Sequence, residues 1–218
     1  MASGGQTVDA YAHIKGFMTP HDLRRLNELV HGNSGLLTET SGRAGLGPRY
    51  RVIDGLTIRK HLPEVEQYGE FRVRPVVEGL VGEPLRLMSS PRRSMRVQVY
   101  DRRSHGFRWH VDGHSYAALL TLTNTNRGST HIVAPGLSRV LRFLLYPCYA
   151  VPQVFSLCPY REIRTEAGDL LLLPGGRVLH RGVTLDEHGE RTLLVYGYDE
   201  ADKRRSRIRD WIATRLNY

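Results

Sequence analysis

Two periodicities divide the chain. In GFMTPHDLRRLNELVHG, Leu23, Leu26 and Leu29/Val30 recur at the three- and four-residue spacing that lines one face of a helix. Thr19-Pro20 supplies its start, because a hydroxyl caps free amides and proline is tolerated in the first turn, and Gly32 supplies its stop. A second helix is predicted within PEVEQYGEFRVRPVVEGL, residues 63–80, with Gly69 and Pro75 blurring its limits. From about residue 94 the period falls to two. In MRVQVY, Val97 and Val99 form an aliphatic face, while Arg96, Gln98 and Tyr100 form a polar one. Short apolar or alternating runs follow at 116–123, 129–133, 141–146, 169–173 and 192–198, punctuated by Gly, Pro, Asn and Asp. Helices followed by many short strands predict a mainly β, α+β fold. The core expected is a β-sandwich or barrel, of which the jelly roll is one form, with N-terminal helices packed on the sheet. A strand whose aliphatic face rests on helices turns its polar face to an interior cavity, which makes Arg96 and Gln98 candidate substrate contacts.

The 218 residues fit one domain: a mostly helical support over 1–90, a jelly-roll core over 91–200 and a basic C-terminal helix over 201–218. No apolar run approaches the roughly 18 residues that span a bilayer, so no membrane association is expected. The opening MASGGQTVDAYAHIKG lacks the basic-then-apolar pattern of a signal peptide. The two cysteines, Cys148 and Cys158, form no CxxC pair, which argues against a zinc or disulfide framework and for a cytoplasmic location. The net charge of +9 admits a nucleic acid, an acidic partner or an anionic small substrate. Its densest run, Lys203, Arg204, Arg205, Arg207 and Arg209, reads as a solvated helix, and no aromatic-basic motif accompanies it. Nucleic acid is therefore a disfavoured partner, and a small molecule the expected one. The sequence fixes no oligomeric state.

The candidate chemistry centres on FRWHVDGH. On an extended segment His110 and Asp112 project to the same side, where an imidazole nitrogen and a carboxylate oxygen can share a metal. Alone the pair is weak. Ten histidines, each with about a one-in-ten chance of an acid two residues on, yield about one such pair by accident. A second, His188-Gly-Glu190, lies in an evident turn. The signal strengthens with GDLLLLPGGRVLHRG, which reads as strand, tight turn and a second strand opening on His180. Two histidines and one carboxylate leave three open positions on an octahedral ion, the arrangement of non-haem iron oxygenases. Arg191, eleven residues on at the head of RTLLVYGY, suits the far carboxylate of a chelating cosubstrate through two parallel hydrogen bonds.

With these residues in order, roughly residues 95–198 resemble the double-stranded β-helix core of the Fe(II)/2-oxoglutarate dioxygenase superfamily, in a prolyl-hydroxylase-like arrangement. The opening IKGFMTPHDLRRLNELVHG also resembles that superfamily's helical start. The resemblance implies Fe(II), 2-oxoglutarate and dioxygen as cofactors. It assigns His110, Asp112 and His180 to the metal and Arg191 to 2-oxoglutarate, with Tyr100, ten residues before His110, as a further cosubstrate contact. Where many members carry Ser or Thr two residues after the arginine, this chain has Leu193, so another hydroxyl must help, Tyr100 or Thr121. The nucleic-acid repair branch carries a second arginine six residues after the first; here that position is Gly197. Halogenases replace the carboxylate by Gly or Ala; here Asp112 is present.

The implied reaction is hydroxylation of an unactivated carbon in a small metabolite, an amino acid or natural-product intermediate, with desaturation or ring formation as divergent outcomes. Other readings stay open: the same chemistry on a protein, peptide or nucleic acid; a non-redox cupin-like binding protein; a basic nucleic-acid-binding protein with a coincidental triad. His110 and Asp112 also fit a hydrogen-bonded structural pair, His180 a core histidine, and Arg191 a surface ion pair. Trp109 is expected behind the strand, His131 in GSTHIV on a facing strand against substrate, and His105 in an exposed loop. The stretch 134–165 is a candidate substrate lid.

Overall fold

The computed structural model describes residues 10–40, 50–101, 109–125, 127–141, 157–183 and 188–203. Helix α1 (Pro20–Gly32) begins where expected, with Thr19 Oγ1 accepting from the Asp22 amide at 3.1 Å. Its Leu26 and Val30 are buried. The second helical run comprises α2 (Gly55–His61), α3 (Pro63–Tyr68), a π-helical turn (Gly69–Val73) and α4 (Arg74–Val81). Two buried tyrosines accompany the widened turn. Tyr198 donates its hydroxyl to the Gly69 carbonyl at 2.8 Å, and Tyr196 donates to that of Val65 at 2.7 Å. The Tyr196 ring lies so near Gly69 that a Cβ there would overlap Cε1 and sit 2.6 Å from Cδ1. Gly69→Ala is therefore expected to cost about 1–3 kcal/mol through overpacking. Urea denaturation checks this, and an unchanged midpoint would contradict it.

The strands are β1 (Ala12–Ile14), β2 (Thr38–Glu39), β3 (Arg51–Asp54), β4 (Leu85–Leu87), β5 (Met95–Tyr100), β6 (Tyr116–Asn124), β7 (Ser129–Val133), β8 (Tyr160–Arg164), β9 (Leu170–Leu173), β10 (His180–Val183) and β11 (Arg191–Glu200). An eight-stranded antiparallel sheet runs β1-β9-β6-β11-β5-β3-β2, with β4 paired to the end of β11. A three-stranded sheet runs β10-β7-β8. The two sheets form the jelly roll. The first ninety residues are not only helical support, since β1 to β4 extend the large sheet. The strand expected over 141–146 is not found as such: Leu141 ends helix α5 (Pro135–Leu141), and 142–146 lie outside the described residues. The expected C-terminal helix lies outside them too, beyond residue 203.

Alternation sorts the core into layers. Met95, Val97 and Val99 of β5 join Leu120, Leu172 and Leu194 against the helices. Between the sheets pack Ala117, Ile132, Ile163, Leu171, Leu173 and Val178. A neighbouring inner cluster holds Tyr50, Val52, Tyr100, Leu193 and Val195. The polar face of β5 thus looks inward, with Gln98 buried and Arg96 half-buried. Among the described residues no helix is long and apolar enough to cross a membrane.

Candidate metal centre

Main-chain pairing brings the two histidines together. His110 and His180 exchange N–H···O bonds of 2.9 and 3.0 Å, so their rings lie side by side with centroids 4.2 Å apart. Asp112 is fixed by its own amide, which donates to the Gly175 carbonyl at 2.8 Å. The Pro174-Gly175-Gly176 turn thus has a steric reason. A Cβ on Gly175 would overlap Asp112 Oδ2 and stand 2.9 Å from the Asp112 Cβ, and one on Gly176 would stand 2.9 Å from the His114 carbonyl. Gly175→Ala is expected to displace the Asp112 carboxylate and weaken divalent-metal binding by about tenfold or more, as loss of a ligand's support does. Calorimetric titration with Mn(II) measures this; an affinity equal to the parent's would contradict it.

The nitrogen and oxygen atoms offered by His110, Asp112 and His180 all lie within 4.8 Å of one another. His110 Nε2 is 3.5 Å from Asp112 Oδ1, and His180 Nε2 is 3.3 Å from Oδ2. His180 Nδ1 lies 2.9 Å from the Val178 carbonyl. With the proton on Nδ1, that contact is a hydrogen bond that leaves the Nε2 lone pair for a metal. Burial acts to raise the Asp112 carboxyl, but the charges of His114 and His180 and the close approach of the His110 and His114 rings hold it well below the usual carboxylate range. Burial acts to lower His180, and the Asp112 carboxylate outweighs it and raises the ring. A site with one ionised carboxylate and two imidazoles has the donor set for a divalent ion of the iron type.

Arg191 opens β11 and is 2% exposed. Its Nη1 donates to the Ser129 carbonyl at 3.0 Å, and its Nη2 lies 3.3 Å from both Thr130 Oγ1 and Thr165 Oγ1. Among the described residues Nε has no hydrogen-bond partner, and no carboxylate pairs with this guanidinium. Burial draws it down to about 10, so it stays charged at neutral pH. Thr121 reaches it through Thr165, the two hydroxyls being 2.7 Å apart. Tyr100, opposite Arg191 in the β5–β11 register, donates to Gln98 Oε1 at 3.1 Å. Burial, and then Tyr50, push its phenol up, while Arg191, Arg96 and Asp112 also act on it. Tyr100 therefore lies within electrostatic reach of both the triad and the buried arginine. Leu193 lies in the apolar cluster with Tyr100.

Not every expected site residue joins this group. In the β7–β10 register, His180 faces Ile132 on the inner side, whereas His131 pairs with Arg181 on the other side. His131 stacks on Tyr160, with centroids 4.2 Å apart, and accepts from Arg181 Nε at 3.2 Å. Arg181 also lies 4.7 Å from the Trp109 ring centroid. Trp109 is buried with Val133 and Leu179. His105 and residues 142–156 of the expected lid lie outside the described residues. Thr130 and Thr165 were not anticipated, nor was the closeness of His114 to Asp112.

No protein-family model and no curated protein matches this sequence. Solved structures do. The non-haem α-ketoglutarate-dependent epimerase SnoN from nogalamycin biosynthesis aligns with a TM-score of 0.65 at 16% identity, covering 88% of this chain and 77% of that one. HygX from Streptomyces hygroscopicus, with nickel, 2-oxoglutarate and hygromycin B bound, aligns at 0.66 and 17% identity, over 89% and 84%. The non-haem α-ketoglutarate-dependent carbocyclase SnoK from nogalamycin biosynthesis aligns at 0.61 and 17%, over 96% and 87%. This chain has the fold of the non-haem iron, 2-oxoglutarate-dependent enzymes. Within that fold His110 and His180 meet at the edge of the small sheet and Arg191 lies on the large one, with Tyr100 opposite it in register.

Proposed function

We propose that this chain is an Fe(II)- and 2-oxoglutarate-dependent oxygenase that hydroxylates an unactivated carbon of a small molecule, an amino acid or natural-product intermediate. The observation that carries the reading is the pairing of a compact His-Asp-His group with a fully buried arginine that no described carboxylate neutralises. A buried charge is costly unless paired, and a dicarboxylate chelating a neighbouring metal would supply the partner. His110, Asp112 and His180 would hold the iron. With 2-oxoglutarate and dioxygen bound, iron supplies an oxidant able to remove hydrogen from an unactivated carbon, with succinate and carbon dioxide released. Arg191 binds the far carboxylate, and the Thr130 and Thr165 hydroxyls beside it complete the polar cradle. Thr121 orients Thr165, and Tyr100 walls the site as a neutral donor. Arg96 and Gln98, on the inward face of β5, contact substrate in this reading. His131, on the opposite face of the small sheet, is left out of the substrate set. The whole chain is read as one oxygenase domain.

The small-molecule reading is supported by the natural-product enzymes that share the fold, one of which holds hygromycin B. The test is succinate release from 2-oxoglutarate, screened across amino acids and natural-product intermediates, with product mass read for each hit. A substrate-dependent rise in succinate and a product heavier by one oxygen are expected. An isomer of unchanged mass would replace hydroxylation by epimerisation, and a product lacking two hydrogens would replace it by ring closure or desaturation. Failure of all small molecules alongside turnover of a peptide or nucleic acid would overturn the substrate class.

A further inference from the structure

A third imidazole, outside the ligand group, stands against the metal-binding carboxylate. His114 is 3% exposed, and its Nε2 approaches Asp112 Oδ2 obliquely at 3.2 Å. Apart from that approach, neither ring nitrogen meets a hydrogen-bond partner among the described residues. Burying two polar nitrogens for packing alone is unfavourable, since an apolar side chain of similar size would fill the space without loss of hydration. The chain nonetheless makes room for this ring. A Cβ on Gly197 of β11 would stand 2.7 Å from its Nδ1 and 2.9 Å from its Cγ, so the imidazole rests against bare backbone. Gly176 does the same for the backbone on which the ring is carried, since a Cβ there would stand 2.9 Å from the His114 carbonyl. His114 falls outside the compact group formed by His110, Asp112 and His180 among the described residues. Among the described residues the ring's one polar contact is with an oxygen of the carboxylate that completes that group.

We propose that His114 is a positioning residue that fixes the rotation of the Asp112 carboxylate by holding Oδ2, with Gly197 serving as the seat of its ring. The inference rests on the metal-binding reading above. A carboxylate with two free oxygens can turn about its Cβ–Cγ bond, and a partner on one oxygen limits that turn, leaving the group oriented before the metal arrives.

The test uses the full-length protein and Co(II), a metal whose visible absorption reports ligand geometry and whose affinity calorimetry measures without dioxygen chemistry. His114→Leu is expected to weaken Co(II) binding by about tenfold or more and to alter the visible spectrum. His114→Gln, whose amide N–H can reach the same oxygen, is expected to return both toward the parent. Gly197→Ala keeps the imidazole but crowds it from its seat, and should weaken binding as His114→Leu does. Thermal melts establish that each variant is folded; if His114→Leu is not, His114→Gln and Gly197→Ala decide. Parental Co(II) affinity in His114→Leu, or in Gly197→Ala, would overturn the proposal. So would a His114→Gln variant as impaired as His114→Leu, because the ring would then act by packing. A parent protein that binds no Co(II) would overturn the metal reading itself, and this inference with it.

Discussion

Replacing Arg191 by methionine should lower the affinity for 2-oxoglutarate by roughly thirty- to several-thousand-fold, the effect of removing one partner of a buried charge pair worth about 2–5 kcal/mol. The same substitution should leave the ligand-free protein about as stable as the parent. Arg191 is a buried cation without a described carboxylate partner, held by one carbonyl and two threonine hydroxyls. Removing an unneutralised buried charge is favourable, and it offsets the loss of the hydrogen bond to Ser129. Thr165 retains Thr121 as a partner. Metal binding should persist, because the ligands lie on other segments, His180 on β10 and His110 and Asp112 on the stretch before β6. Fluorescence or calorimetric titration with 2-oxoglutarate in the presence of Mn(II), beside a thermal melt, measures both halves. Unchanged 2-oxoglutarate affinity would remove Arg191 from the site. A collapse in melting temperature would show that the guanidinium is structural instead.

His180→Ala should reduce Fe(II) affinity by more than about a hundredfold, since partners one shell further out are already worth about 10–100-fold. Two losses combine. The site loses a nitrogen ligand, and Asp112 loses one of the imidazoles that hold its carboxylate ionised. The fold should survive, because the reciprocal bonds between residues 110 and 180 are made by main chain and remain available to alanine. Anaerobic equilibrium dialysis with Fe(II) reads the effect, and a parental dissociation constant would exclude His180 from the ligand set.

The sequence carried the strand β5 well because its two faces differ in chemistry: valines toward the helices, Arg96, Gln98 and Tyr100 toward the interior. Strands β1 to β4 were not legible, since runs of two to four residues are too short to establish a period. The side that His131 faces was not legible for a related reason. Alternation says that neighbours along GSTHIV point to opposite sides, but only the pairing of His131 with Arg181 says which side is inward. The hydroxyls at Arg191 come from residues 61 and 26 positions away, across the sandwich, and nothing local in their sequence marks them. Glycines proved more telling than their usual reading as turn residues. Gly175 leaves room for Asp112, and Gly197 leaves room for the ring of His114.

The central claim is that the His-Asp-His group and Arg191 together hold one iron with 2-oxoglutarate chelated to it. An anaerobic titration of the protein with Fe(II) and 2-oxoglutarate, followed by visible absorption, tests it most directly. A weak charge-transfer band that saturates at one equivalent of each, and that His180→Ala abolishes, is the expected result. No band in the parent protein, or a band that survives in His180→Ala, would contradict the account.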